Sequence, residues 1–404
     1  MQNNRFFQSA QKLFHQLVEI RRDLHRHPEL GMQELRTAKI VADYLERLGL
    51  EVKSGVAGTG VVAMLYTQGG AETVSLRADM DALPMADKKE VAYASAVKSA
   101  AHCCGHDGHI AMLLGAAGLL CNYQDSLRGN VKFIFQPSED RMPGGALPMI
   151  KAGALKNPGV DGIFSLHLNP EFPEGTVAVK SGYSTISSAG FVLKMIGKGG
   201  HVAKPHEVTD PIGMAGMVIV AGQTIVPRRV NPLDPAILAF ASVNGGTADN
   251  IIPDEVILTG TIRTLKPDMR RKLAELLEET ARGIARLNGG GCDLIVEMQY
   301  PAVFNHPQMV EEFKASAARI VSEKKVISQE SPSMTGEDVS YFHREVPGVH
   351  WQLGIANAEK GFSHPLHSPL FDFNEQVLPI GAAIHAQCAV DFLINRRHGR
   401  LADH

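Results

Sequence analysis

Phe191-Val192-Leu193-Lys194-Met195-Ile196 opens the stretch that decides how this chain is organised. Its alternation reads as a strand. The segment 210–226 follows as a helix, with Asp210 as cap and Pro211 at the first helical position. Segments 236–243 and 255–265 read as two strands, joined through Gly245-Gly246 and Asn250-Ile251-Ile252-Pro253. A helix over 267–287 ends at Asn288 and three glycines, and 292–300 reads as a last strand. The order β-α-β-β-α-β is that of the ferredoxin-like unit. It is expected as a separate domain over 184–298.

Working outward, both flanks alternate helices and strands. Helices are expected over 3–27 and 33–49, the second closed by Gly49. Strands are expected at 60–66, 73–76, 131–135 and 162–166. A helix from about Gly108 carries Met112, Leu113, Ala116, Leu119 and Leu120 on one side. This is an α/β architecture around a central mixed sheet. Residues 299–404 return to the same character, so 1–183 and 299–404 are expected to form one discontinuous domain.

Length and composition agree. The 404 residues exceed one ordinary core, at ~100–200 residues per domain. The chain is 44% hydrophobic and 21% charged, as in folded proteins. Forty basic against 43 acidic side chains leave a net charge of −3, with no global field to hold nucleic acid or an anionic membrane. No stretch approaches the ~18 uninterrupted apolar residues of a membrane span, and residues 1–20 lack a signal-peptide core. Five cysteines, odd and sparse, argue against a disulfide framework. The expected compartment is the cytoplasm.

The densest chemistry is His102-Cys103-Cys104-Gly105-His106-Asp107-Gly108-His109, where a loop enters a helix. Thiolate, imidazole and carboxylate are the ligands of Zn²⁺ and related ions. Gln136-Pro137-Ser138-Glu139-Asp140 follows a strand, where open α/β sheets place their ligands. Two adjacent acids can divide the work, one holding a metal and the other serving as base. Alone, that segment reads as a solvated acidic turn. His167 follows the strand at 162–166, and as an isolated residue it reads more readily as a core histidine than as a ligand. His364-Pro365-Leu366-His367-Ser368-Pro369 sets two histidines in a proline-fixed loop. In Asp79-Met80-Asp81 both carboxylates point one way if the chain is extended; such groups orient ligating imidazoles.

Taken together, the chain resembles the M20 metallopeptidase superfamily, in its amidohydrolase branch of hippurate hydrolases, N-acyl-amino-acid amidohydrolases and auxin-conjugate hydrolases. The resemblance rests on Arg22-Asp23-Leu24-His25-Arg26-His27-Pro28-Glu29-Leu30-Gly31, Leu76-Arg77-Ala78-Asp79-Met80-Asp81-Ala82-Leu83-Pro84 and the 102–109 cluster. It extends through 135–139, Gly197-Lys198-Gly199-Gly200-His201, Asn250-Ile251-Ile252-Pro253, Thr335-Gly336-Glu337-Asp338 and His367-Ser368-Pro369, in family order.

The resemblance implies a zinc-peptidase-like catalytic domain and an inserted ferredoxin-like domain for dimerisation or as a lid. It implies two divalent metal ions, Zn²⁺ first, with Mn²⁺, Co²⁺ or Ni²⁺ as alternatives. Cys104 would bridge them, and His106, Asp140, His167 and His367 would complete the ligands. Glu139 would be general base and acid, with Asp81 and His201 counted in the catalytic group. Asn250 and Arg263 would bind substrate, Arg263 through a carboxylate. The implied reaction is hydrolysis of the amide bond of N-acylated amino acids or related conjugates by a homodimer. A dipeptidase or another small-molecule deacylase is the alternative within the class, and a non-catalytic metal-binding scaffold the alternative outside it. Two departures from the family pattern stand out. Asp140 takes the place of a usual second glutamate, and Arg141-Met142-Pro143 precede the following glycines.

Overall fold

The computed structural model describes residues 4–67 and 71–397. The first residue of the expected helix 3–27 and the end of the expected segment 299–404 lie outside the described residues. The chain divides into two compact units. The large unit comprises Met1–Ser184, Val303–Pro332 and Glu337–His404. The small unit comprises Thr185–Ala302 and Ser333–Gly336.

The large unit is built on an eight-stranded mixed sheet. Its spatial order is Glu51–Val56, Gly60–Leu65, Asn130–Gln136, Thr73–Asp79, Gly162–Pro173, Gly348–Ala356, Val177–Val179, Val326–Ser328. The three strands Asn130–Gln136, Thr73–Asp79 and Gly162–Pro173 run parallel. Asn130–Gln136 and Thr73–Asp79 are buried throughout, as strands covered on both faces must be. Helix His106–Cys121 is apolar on nearly every side and buried almost completely. It packs against Leu378–Arg397 in the main core. That last helix is long and apolar enough to cross a membrane, but 83% of its apolar window is buried inside the protein.

The small unit carries its own core around Phe191, Leu193, Met195, Leu258 and Leu277. Strands Ser187–Ile196, Ala236–Asn244, Glu255–Thr264 and Gly291–Met298 form an antiparallel sheet, and Ser187–Ile196 lies between Glu255–Thr264 and Gly291–Met298. Helices Pro211–Gly222 and Pro267–Leu287 fall where a β-α-β-β-α-β chain has them. Asp210 caps the first of these, accepting from Ile212 N at 2.8 Å.

Several boundaries differ from the sequence expectation. The helix expected over 3–27 is two, Arg5–Lys12 and Phe14–Arg26, because Leu13 turns back to hydrogen-bond Ala10 O. The helix expected over 210–226 stops at Gly222, where the Phe240 ring would lie 2.7 Å from a Cβ, and resumes at Ile225. The strand expected to end before His167 runs on to Pro173, because Gly348–Ala356 pairs with it beyond that point.

Candidate metal centre

The centre forms at the carboxyl ends of the parallel strands. Gly105 caps helix His106–Cys121 with φ +90°, and a Cβ there would stand 3.0 Å from Leu168. Glycine is required at both counts. This turn points Cys104 and His106 toward one point, at the helix end that favours negative charge.

Five side chains meet there. Cys104 Sγ lies 3.5 Å from His167 Nε2 and 3.3 Å from His367 Nε2. His367 Nε2 lies 3.4 Å from Asp140 Oδ1, and His106 Nε2 lies 3.8 Å from Asp140 Oδ2. The donor atoms fall into two overlapping triads, Cys104/His106/His167 and Cys104/Asp140/His367, each within 4.8 Å. Cys104 belongs to both.

The hydrogen bonds set the tautomers. His106 Nδ1 donates to the Asp81 carbonyl at 2.9 Å, and His167 Nδ1 donates to the Leu168 carbonyl at 2.7 Å. Each therefore turns its Nε2 toward the centre, the atom left to meet a cation. Burial, with the charges of His109 and His106, pushes His167 down to about 3, so its ring is neutral. His106 Nε2 and Asp140 Oδ2 are buried without a hydrogen-bond partner. Facing orphans of this kind are costly unless a ligand joins them. A thiolate, three imidazoles and a carboxylate fit two divalent metal ions. The shorter Asp140 reaches both His106 and His367, so it satisfies this geometry.

His109, in the same cluster, is spent elsewhere. It donates to Asp79 Oδ1 at 2.6 Å and accepts from Leu168 N at 3.0 Å. Asp79 and Asp81 both lie near His106 Nδ1, at 3.9 and 3.4 Å. Burial opposes charge on His106, but Asp79 and Cys104 overcome it and raise its proton affinity well above the usual imidazole value. The same surroundings favour a cation.

Glu139 stands beside this set, 4% exposed. Its loop is held by carboxylates. Ser138 N donates to Glu34 Oε1 at 2.9 Å, Glu139 N to Asp81 Oδ1 at 2.8 Å and Asp140 N to Asp81 Oδ2 at 3.0 Å. Asp81 thus positions the loop through its side chain and His106 through its carbonyl. Glu139, Glu337 and Asp338 form a further cluster, with ligand atoms within 4.8 Å of one another. Burial, then Glu337, Asp140 and Asp338, push Glu139 well above the usual carboxyl range, against the pull of His106. Burial pushes Glu337 up to about 8 although Arg77 pulls it down.

Sequence reasoning singled out neither Arg77 nor Glu34. Arg77 is fully buried and bridges Asp79, Glu337 and Asp338 at 2.8, 3.2 and 3.1 Å. An arginine inside the apolar strand Thr73–Asp79 was the available signal.

His201, Asn250 and Arg263 belong to the small unit. His201 pairs with Ile251 and is exposed, and Val202 N donates to the Asn250 carbonyl at 3.3 Å, so these two are neighbours. Arg263 lies at the other end of strand Glu255–Thr264, on the order of 25 Å along the chain direction from Glu255. Its Nη1 reaches the Met334 carbonyl at 3.3 Å.

Comparison with known proteins follows the same lines. Residues 75–391 match the model of peptidase family M20/M25/M40. A thermostable carboxypeptidase of Saccharolobus solfataricus is 38% identical over 93% of this chain and 95% of its own. An IAA-amino acid hydrolase of Arabidopsis thaliana is 37% identical over 96% of this chain and 87% of its own. Among solved structures, a Bacillus subtilis dinuclear metal binding peptidase of the M20 family superposes with a TM-score of 0.82. It is 31% identical and covers 95% of this chain and 99% of that one. Matched along nearly its whole length, the chain belongs to peptidase family M20/M25/M40 and is a hydrolase of amide bonds.

Proposed function

We propose that the chain hydrolyses the amide bond of N-acylated amino acids or related small conjugates, releasing a carboxylic acid and a free amino acid. The observation that carries this is the pair of buried orphans, His106 Nε2 and Asp140 Oδ2, beside a carboxyl group of raised proton affinity. Cys104, His106, Asp140, His167 and His367 would hold two divalent ions, Zn²⁺ by ligand softness, with Mn²⁺, Co²⁺ and Ni²⁺ as alternatives. Bound there, such ions supply Lewis acidity that polarises an amide carbonyl and acidifies a water.

Glu139 takes the proton of the attacking water and later delivers it to the leaving nitrogen. Its high proton affinity, sustained by burial and by Glu337 and Asp338, suits a group that must both accept and return a proton. Asp81 keeps Glu139 and Asp140 in register. His201 stabilises the oxyanion and Arg263 grips the substrate carboxylate, with Asn250 beside His201. Arg263 stands at the end of strand Glu255–Thr264 remote from Glu255, and His201 on a separate short ladder with Ile251, which supports service to two different centres in a homodimer. Helix Pro211–Gly222 supports the dimer too. It is apolar all round, yet Ile212, Met217 and Val220 are 47%, 43% and 71% exposed, and such a helix is ordinarily covered.

Relatives support the substrate class. Besides the IAA-amino acid hydrolase, an N-acetylcysteine deacetylase of Bacillus subtilis is 35% identical over 94% of this chain. The carboxypeptidase relative favours a second reading, cleavage of a dipeptide or a peptide end. Both substrates place a free carboxylate next to the amide. All five cysteines are free, which supports the cytoplasm.

The test is metal analysis with a panel of N-acetyl, N-benzoyl and dipeptide substrates before and after chelation. We expect two ions per chain, hydrolysis of the N-acyl amino acids that chelation abolishes, and a dimeric mass in solution. Bound metal with no hydrolysis of any acylated substrate would instead favour the scaffold reading.

A further inference from the structure

Of the two triads, the one containing His367 is the less secured by its own backbone. His106 sits in a helix and His167 in a paired strand. His367 lies in a loop, at φ +63°, with its side chain 53% exposed. Its own backbone tie is a hydrogen bond from His367 N to the Cys103 carbonyl at 2.8 Å. Two residues on, the Pro369 carbonyl accepts from Lys88 N at 2.9 Å, and the far end of the loop is fixed from elsewhere.

Arg21, on helix Phe14–Arg26, is fully buried and does this. Its Nε donates to Asp107 Oδ2 at 2.8 Å, next in sequence to His106. On its other edge Nη2 meets Asp372 Oδ1 at 2.7 Å and Nη1 meets Glu375 Oε1 at 3.4 Å, both just beyond His367 in the chain. The guanidinium face is packed, with Phe373 at 4.4 Å and Tyr93 at 5.0 Å from its centre to theirs. Tyr93 in turn donates to Asp372 Oδ2 at 2.7 Å. One rigid fork therefore joins the segment carrying Cys104 and His106 to the segment carrying His367, which are remote in sequence.

We propose that Arg21 is a positioning residue that sets the His367-bearing metal subsite. Lysine, a single point charge, cannot span both segments as a planar fork can. The inference rests on the ligand assignment above and goes beyond it, because it predicts unequal dependence of the two subsites on one remote side chain.

The test is titration of metal-free protein with Zn²⁺ against a chromophoric chelator, on the wild type and on Arg21→Met, Asp372→Asn and Arg22→Met. Arg22 bonds Glu375 at 2.8 and 2.6 Å but does not reach Asp107, so it controls for loop anchoring in general. Arg21→Met and Asp372→Asn should weaken one of two Zn²⁺ sites by about tenfold to a hundredfold, as loss of groups behind metal ligands does. The other site, and both sites of Arg22→Met, should stay near wild type. If Arg21→Met does not fold, Asp372→Asn, which cuts one arm of the fork, decides. Equal weakening of both sites, or a lowered Tm with both affinities intact, would overturn the proposal, as would the same selective loss in Arg22→Met. A wild type that takes up fewer than two ions would sink the ligand assignment and this inference with it. Two ions in the wild type without selective loss would sink the inference alone.

Discussion

The two units hold their chemistry in opposite ways. In the large unit Cys104, His106, Glu139 and Asp338 are at most 5% exposed, and neighbouring groups aim them. Glu34 and Asp81 fix three successive amides of the Glu139 loop, while Arg77 and Gln136 fix Asp338. In the small unit His201 and Asn250 are exposed, and Arg263 meets a single carbonyl. A centre whose side chains are already ordered loses little conformational entropy on binding. Exposed side chains such as His201 have more freedom to lose. The large unit is therefore expected to govern proton transfer in turnover, and Arg263 of the small unit substrate capture.

The largest effect should come from Glu139→Gln. The amide is isosteric, and the loop is held by its backbone, so metal content should stay at the wild-type value. General acid–base contributions are typically 10²–10⁴-fold, and kcat should fall by about that much. Single-turnover assays with measured metal stoichiometry check both halves. Near-normal turnover would remove Glu139 from its role and, with it, the claim that proton transfer in turnover is governed by the large unit.

Next comes Arg263→Ala. A charge-assisted hydrogen bond contributes about 1.5–3 kcal/mol, so KM for an N-acyl amino acid should rise about tenfold to a hundredfold with kcat little changed. The matching carboxamide, lacking the anion, should show no such rise. A fall in kcat at constant KM would place Arg263 with the reacting groups and erase the distinction between the units.

The limits of sequence reasoning follow the same division. Strands such as Asn130–Gln136 and helices such as Pro267–Leu287 were legible because local periodicity, caps and terminal glycines specify them. The ligand candidates were legible because thiol, imidazole and carboxylate crowd into short motifs. What was not legible depends on contacts between distant segments. Glu34 looks like an ordinary residue at the start of a helix, but its carboxylate receives Ser138 N and Thr59 Oγ1. Arg77 acquires meaning only when Glu337 and Asp338 arrive beside it. Two histidines of one motif, His106 and His109, differ because Asp79 and Leu168 consume both nitrogens of the second. No spacing rule encodes that choice. The strand carrying His167 was read short because its far end is apolar only in part and is held by a partner nearly two hundred residues away.

The smallest effect concerns acid. Burial keeps His385 neutral, pushing it down to about 3 with a minor push from His109, and both its nitrogens lack hydrogen-bond partners. Burial likewise lowers His343 to about 4 and His102 to about 3. The unfolded chain protonates these rings near 6.5, whereas the folded chain does so only near 3 to 4. Across that window these rings bind more protons in the unfolded state, so their contribution to stability falls as pH drops below 6.5 and stops falling below the folded values, while Glu337 and Asp338, raised by burial to about 8 and about 6, act in the opposite sense. All three lie in the large unit. Trp351, the single tryptophan, packs against His385 with ring centres 5.5 Å apart and reports on it. His385→Leu should be close to wild type at pH 7 but lose about 2 kcal/mol less between pH 7 and pH 5. The check is the midpoint of thermal unfolding at the two pH values, followed by Trp351 fluorescence. An unchanged difference between the two midpoints would mean that protons enter this core by another route, and that its burial does not protect it as the comparison of the two units requires.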